Sequence, residues 1–317
     1  MKLSSKILQA YVERARKGSP LPTAIVHPCD AESLGGAVAA AKAGLIKPVL
    51  VGPPHRIQAA AAAAGLDIRR MHMVAVEHSH AAAERAVGLA RSGEVQALMK
   101  GSLHTDELIA AIVTTGDGLR TARRISHVFV MDVPLYPRPL LITDAAINID
   151  PDLEAKADIV QNAIDLAHVL GIRRPRVAIL SAVETVTPRM RSTLDAAGLC
   201  KMADRGQITG GVVDGPLAFD NAISLEAAAA KHIASPVAGR ADILVVPDLE
   251  AGNMLAKQLH YFASARSAGI VLGARVPVML TSRADSVESR VASCAIAVLI
   301  SRTHSRAQAL ALRRAGT

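Results

Sequence analysis

Along most of the chain, short apolar runs alternate with longer Ala-rich stretches that carry helical spacing. Thr23–His27, Pro48–Val51, Met73–Val76 and Val95–Met99 read as buried strands, each separated from the next by enough residues for a crossover helix. That rhythm predicts a parallel sheet with right-handed crossovers. After a dense apolar segment around Val128–Ile142, a second set of strands follows at Arg176–Leu180, Gly211–Val213, Asp242–Val246, Ile270–Leu272 and Val278–Thr281. Helices are predicted over 152–170, 189–205, 221–231 and 252–265, with one more from Asp285 to about Arg302. Met1–Lys17 has the polar spacing of an amphipathic helix and not of a signal peptide.

The two strand–helix sets are joined by a Pro-rich pair of strands, Val133-Pro134 and then Pro137-Arg138-Pro139. The pattern predicts an α/β fold with two parallel-sheet lobes and an interdomain cleft. No fixed-period repeat or low-complexity linker separates the lobes, so a hinge is expected and not a tether. The length of 317 residues exceeds what a single core usually carries. Half of the residues are apolar, yet there are three Phe, three Tyr and no Trp, so the core must be built from Ala, Val, Leu and Ile.

A net charge of +8 admits nucleic acid, an anionic membrane or a small phosphate-bearing ligand as partner. Single-strand binders need aromatic stacking platforms, which this chain lacks, and no basic run is long enough to form an arm. The charge is better read as solvated surface, with a few Arg reserved for a polyanionic small molecule. Cys29, Cys200 and Cys294 are odd in number and far apart, which fits a reducing compartment, and no apolar run reaches membrane-spanning length. A cytoplasmic protein is expected.

Three strand–loop–helix junctions carry candidate chemistry. In Val278-Met-Leu-Thr-Ser282-Arg283-Ala-Asp285-Ser286, an apolar strand meets a polar turn and then a helix start, where backbone N–H groups favour anions. Ser282 and Arg283 could complete a phosphate site there, while Asp285 and Glu288 also fit a capping box. In Pro247-Asp248-Leu-Glu250-Ala-Gly252-Asn253, Gly252 lets backbone approach a ligand closely and Asn253 can donate and accept. In Met99-Lys100-Gly101-Ser102-Leu-His104-Thr105, Lys100 could hold a phosphate, and His104 could be a base or a helix cap. Arg120, Arg123 and Arg124 cannot all face one cleft from a helix.

Several fingerprints are missing. No Walker A loop or G-x-G-x-x-G follows a strand, no C-x-x-C, H-E-x-x-H or G-x-S-x-G occurs, and the eleven His do not cluster at metal-ligand spacing. These residues leave a phosphate-binding cleft and a reaction that needs no metal.

At these junctions the chain resembles the phosphate acetyltransferase/phosphate butyryltransferase family over nearly its full length. The resembling segments are Lys100-Gly101 through Leu119-Arg120, Ser126-His-Val-Phe-Val-Met-Asp132-Val-Pro and Leu141-Ile-Thr-Asp144. They continue with Asp214-Gly215-Pro216-Leu-Ala-Phe-Asp220-Asn221, Pro247 to Asn253, and Thr281-Ser282-Arg283-Ala-Asp285-Ser286. The carboxyl-terminal part of fused enoyl-CoA hydratase/phosphate acyltransferase polypeptides is similar as well. The resemblance implies a fold like isocitrate and isopropylmalate dehydrogenases, homodimers or larger homo-oligomers, and no permanently bound cofactor. It implies that a CoA thiol attacks an acyl phosphate directly, with acyl-CoA, phosphate and acyl phosphate as the small-molecule substrates.

By that resemblance Ser282 and Arg283 are the catalytic pair, and Arg120 assists with a phosphate of substrate or CoA. Lys100, Ser102, His104, Asp248, Gly252, Asn253, Asp285 and Ser286 complete the expected substrate-binding set. Acetyl-type members often carry an Asp seven residues after the Ser. Here that position is Ser289, and the wording Ser-Arg-Ala-Asp-Ser resembles the butyryl-type branch. The expected lobes are 1–134 with 272–317, and 135–271. Two rivals are a non-catalytic CoA-sensing module and an NAD-dependent decarboxylating dehydrogenase on the same fold.

Overall fold

The computed structural model describes residues 2–282 and 285–315, with side chains as far as residue 305. The chain forms two compact units, Met1–Arg123 with Ala268–Thr317 and Arg124–Ser267.

The first unit opens with α1 (Lys6–Ala15), whose Ser5 cap accepts the Leu8 N–H and whose inner face buries Leu8, Tyr11, Val12 and Ala15. It continues through β1 (Leu21–Val26), α2 (Ala31–Lys42), β2 (Ile46–Gly52), α3 (Pro54–Ala63), β3 (His72–Ala75), α4 (Ser79–Arg91), β4 (Ala97–Lys100) and α5 (Thr105–Val113). β1 pairs in parallel with β2 and β4, and β2 with β3. Ile25, Val26, Leu50, Val51, Leu98 and Met99 are fully buried, as strands covered by helices on both faces require.

The second unit contains β5 (Ser126–Asp132), β6 (Leu140–Thr143), α6 (Leu153–Leu170), β7 (Arg176–Leu180), α7 (Arg191–Asp204), β8 (Val212–Leu217), α8 (Phe219–Ile223), α9 (Leu225–Ala230), β9 (Ile243–Val245) and α10 (Leu249–Phe262). Its strands run in the order β5-β6-β9-β7-β8 around a core that includes Met131, Leu140, Ile142, Ala178 and Leu244. The chain then adds β10 (Arg266–Leu272), β11 (Val278–Met279) and α11 (Val287–Ala315), giving the first unit the order β3-β2-β1-β4-β11-β10. α11 packs against α1 and α2.

Two antiparallel pairs interrupt the parallel pattern, β5 with β6 and β10 with β11. The connections 133–139 and 273–277 are too short for a crossover helix, so the chain must turn back on itself. The helix expected over 221–231 is divided at Ser224, whose extended backbone ends α8 and whose hydroxyl accepts the Ala227 N–H to start α9. α10 begins three residues ahead of the expected start because Asp248 caps it by accepting the Ala251 N–H. No helix among the described residues is long and apolar enough to cross a membrane.

Candidate active site

Three adjacent strands of the first unit, β4 flanked by β1 and β11, run parallel and end at the same edge of the sheet. Each leads through a short loop into a helix, respectively α5, α2 and α11. The chain adds β2 and β3 on one side of β1 and β4 on the other, so the strand order reverses between β1 and β4. Loops diverge at such a reversal and leave a crevice outside the carboxyl ends of the strands, where ligands of open α/β sheets bind.

Gly101 stands at that reversal. A Cβ there would overlap the carbonyl oxygens of Val26 and His27, so glycine lets the end of β4 close on the end of β1. The Gly101 and Ser102 N–H groups donate to those two carbonyls at 2.9 and 3.0 Å. Ser102 Oγ donates to the His27 carbonyl at 2.8 Å and accepts the Cys29 N–H at 3.3 Å. With the hydroxyl hydrogen so placed, His27 Nδ1, 3.2 Å away, is assigned as a donor to Ser102 Oγ.

His27 Nε2 then carries the lone pair, and it is buried with no partner among the described residues. The residue has a φ of 54°, in the left-handed region that a non-glycine residue seldom adopts. Burial holds its pKa below the ordinary 6.5, aided by the charge of Arg56 and opposed by Glu107 and Asp30. Beside it, Lys100 is buried at the end of β4 with Nζ 3.5 Å from the Gly101 carbonyl.

Met279 of β11 is in register with Met99 of β4, so the chain reaches Ser282 at the edge where Gly101 and Ser102 turn. The Ser282 N–H donates to Asp285 Oδ2 at 2.6 Å, and the Asp285 N–H donates back to the Ser282 carbonyl at 3.2 Å. Arg290 reaches this turn from the first turn of α11. Its guanidinium donates to Thr281 Oγ1 at 2.7 Å and to the Ser282 carbonyl at 2.9 Å. Arg283, expected to act with Ser282, lies outside the described residues.

The capping box expected from Asp285 and Glu288 does not form. α11 begins at Val287, which makes Ser286 the cap, and its hydroxyl accepts the Ser289 N–H at 3.2 Å. Glu288 therefore sits one position too early to complete a box. Its carboxylate instead accepts from the Ser4 N–H at 3.2 Å and the Ser4 hydroxyl at 2.7 Å, tying the start of the chain to α11. Asp285 serves the Ser282 turn.

Two other expected residues stand apart from this arrangement. His104 is exposed at the start of α5, where its N–H donates to Glu107 Oε1 at 3.4 Å, which is the cap reading. Arg120 is exposed and bridges Ala274 in the connection that enters β11. The Arg275 N–H to Leu119 carbonyl bond of 2.9 Å and the Thr121 hydroxyl bond to the Gly273 carbonyl fix it there. Ser282 follows the exit of that strand, so Arg120 and the Ser282 turn occupy opposite ends of β11.

Asp248, Gly252 and Asn253 belong to the second unit. Asp248 caps α10, and a Cβ at Gly252 would come within 2.8 Å of the Asp144 carbonyl. Asn253 Nδ2 donates to the Ala145 carbonyl at 3.2 Å. Together they seat α10 against the loop that leaves β6. Asp144 itself is buried, and burial raises its pKa against bonds from the Ala146 and Ile147 N–H groups and the Asn148 side chain. An apolar cavity of about 380 Å³ opens beside Pro247, between Leu180, Phe219, Ala251 and Leu255.

Comparison with known proteins gives this geometry its chemistry. The profile of the family described as "Phosphate acetyl/butaryl transferase" matches residues 79–298, more than half of the chain. The chain belongs to that family. Phosphate acetyltransferase of Rhizobium meliloti is 62% identical over 301 residues, covering 95% of this chain and 95% of its own length. Phosphate butyryltransferase of Clostridium acetobutylicum is 43% identical over 261 residues, covering 82% of this chain and 87% of its own.

Among solved structures, a branched-chain phosphotransacylase from Enterococcus faecalis V583 superposes with a TM-score of 0.78 at 32% identity, over 89% of this chain and 99% of that one. The 4-hydroxythreonine-4-phosphate dehydrogenase of Klebsiella pneumoniae, with a TM-score of 0.53 at 14% identity over 89% of this chain and all of its own, shares the fold alone. The protein is therefore a phosphate acyltransferase, which sets aside the dehydrogenase and sensor readings. Two residues of this acyltransferase that sequence reasoning missed are His27 and Arg290. The available signals were a His between a strand and Pro28, and an Arg in the first turn after the Ser282 loop.

Proposed function

We propose that the enzyme moves an acetyl group between CoA and inorganic phosphate, with Ser282 and Arg283 holding the phosphoryl group. In the direction of acyl-CoA synthesis, the thiolate sulfur attacks the carbonyl carbon of acetyl phosphate. A C–S bond forms, the C–O bond to phosphate breaks, and phosphate leaves with the electron pair. Such a substrate already has a good leaving group, so orientation and charge stabilisation are the main requirements. The observation that carries the reading is the Ser282 turn, closed by Asp285 and held by Arg290 at the edge where Gly101 and Ser102 turn.

Lys100 and Ser102 extend the phosphate-binding group, and Ser286 supports it by starting α11. Asp248, Gly252 and Asn253 keep their place in the proposed substrate-binding set within the second unit, where they seat α10 beside its apolar cavity. His104 and Arg120 have no part in this proposal. Acetyl is preferred over butyryl because relatives named for acetyl transfer reach 62% identity, against 43% for the butyryltransferase compared above. The Ser-Arg-Ala-Asp-Ser wording is then no guide to chain length. The reading includes a homo-oligomer in the cytoplasm that holds CoA only as a substrate.

The test is phosphate-dependent release of CoA from acetyl-, propionyl- and butyryl-CoA, with Ser282→Ala in parallel. The expected order is acetyl, propionyl, butyryl, with Ser282→Ala strongly impaired. Release that does not depend on phosphate would end the reading, and butyryl-CoA as best substrate would end its acyl assignment.

A further inference from the structure

We propose that Arg290 is a positioning residue of the phosphate-binding turn, supplying a fixed positive charge beneath Ser282, and that Gly36 of α2 exists to admit it. The inference rests on the reading that Ser282 holds the phosphoryl group. Arg290 is 3% exposed, and a buried guanidinium ordinarily sits against a carboxylate. No carboxylate among the described residues forms an ion pair with it. Asp285, Asp30 and Glu32 act on it only at longer range, and its Nε is buried with no partner among the described residues.

Its hydrogen bonds to described residues go to neutral acceptors, the Thr281 hydroxyl and the Ser282 carbonyl, on consecutive residues of the turn. A neutral donor could satisfy those acceptors without desolvating a charge. Retaining the charge makes sense where an anion completes the neutralisation, and the turn above it is where the phosphoryl group is placed. The fold makes room for this side chain at one point of α2. A Cβ at Gly36 would overlap Arg290 Cδ and stand 2.9 Å from Cβ and 3.2 Å from Cγ. The clash includes the root of the side chain, so it cannot be relieved by moving the flexible end. Glycine is a poor helix former, and here its place inside α2 is explained by the arginine that crosses it.

The experiment compares Arg290→Met, Arg290→Lys, Gly36→Ala and Ser282→Ala with wild type, varying phosphate and acetyl-CoA separately and recording thermal unfolding. Arg290→Met should lower kcat/KM for phosphate by about 10- to 100-fold, the range of one or two charge-assisted bonds. KM for acetyl-CoA should stay within about twofold, and Tm should change little, because removing a desolvated charge offsets the two lost hydrogen bonds. Arg290→Lys should fall between, since one ammonium cannot span both acceptors. Gly36→Ala, which alters no group at the turn, should reproduce the phosphate defect in direction.

Arg290→Met within twofold of wild type for phosphate, or a loss shared equally by both substrates together with a lower Tm, would overturn the proposal. Should Arg290→Met fail to fold, Gly36→Ala and Arg290→Lys decide by the same phosphate criterion. Ser282→Ala separates the two layers. If it is impaired while the Arg290 and Gly36 variants are normal, only the positioning role fails. If Ser282→Ala is fully active, the turn is not the phosphate site and both fail together.

Discussion

Lys156 and Arg290 are buried cations on helices of different units, and their charges are handled in different ways. In the second unit, Lys156 Nζ meets Asp195 Oδ2 at 2.6 Å, and Arg191 Nε stands 3.6 Å from the same carboxylate. Asp242 there is likewise buried, accepts the Arg176 N–H at 2.9 Å and lies 3.6 Å from the Arg138 guanidinium. In the first unit, Arg290 is given two neutral acceptors on the turn that carries Ser282. A charge that holds a scaffold together has its counterion built in. One that serves a ligand can leave the counterion to the ligand.

The sharpest way to break this contrast is Asp195→Ala, which strands Lys156. It should cost about 3–5 kcal/mol in urea unfolding, while turnover per folded molecule stays unchanged. Replacing both partners by apolar residues of similar volume should restore most of that loss. A mild effect of Asp195→Ala would make the pair as dispensable as a surface bridge.

Arg283→Ala should show the reverse pattern, a fall of about 10- to 100-fold in kcat/KM with little change in unfolding, if Arg283 makes the proposed charge-assisted bond to substrate. A folded variant within twofold of wild type would remove Arg283 from the site. Ser286→Ala should cost about 1 kcal/mol as a lost helix cap. Asp285→Asn should spare α11, since Asp285 does not cap it, and should impair turnover by loosening the Ser282 turn. Equal stability losses in both variants would contradict that division of labour.

The smallest expected effect is in the pH dependence of stability. The His27 pKa is lowered in the folded state, chiefly by burial, so below about 6.5 the unfolded chain binds more protons than the folded one. Stability should therefore fall as pH drops through that window. His27→Gln should flatten the acid limb of Tm against pH, and an unchanged limb would show that His27 does not titrate there.

Much of this was legible in order along the chain. Strands and crossover helices announced themselves because a parallel sheet buried on both faces needs continuous apolar blocks, and Ala24–Val26 and Ala97–Met99 are such blocks. The junctions around Ser102, Ser282 and Asn253 were visible because a strand that ends in Gly, Ser or Pro before a helix has few other uses. The antiparallel pairs could have been deduced from the short connections 133–139 and 273–277, which leave no room for a crossover.

What the sequence by itself determined is therefore the element types, the α/β class and the family segments, all of which depend on local spacing or on residue order. Tertiary structure alone decided which of the chosen residues meet. It placed Ser102 against His27 across 75 positions and set Gly36 of α2 under the side chain of Arg290. It also put Arg120 at the entry of β11 while Ser282 follows the exit. Strand order and register set these distances. They depend on packing between segments far apart in sequence, so no local pattern at Arg120 or Arg290 distinguishes a surface charge from one held beneath the Ser282 turn.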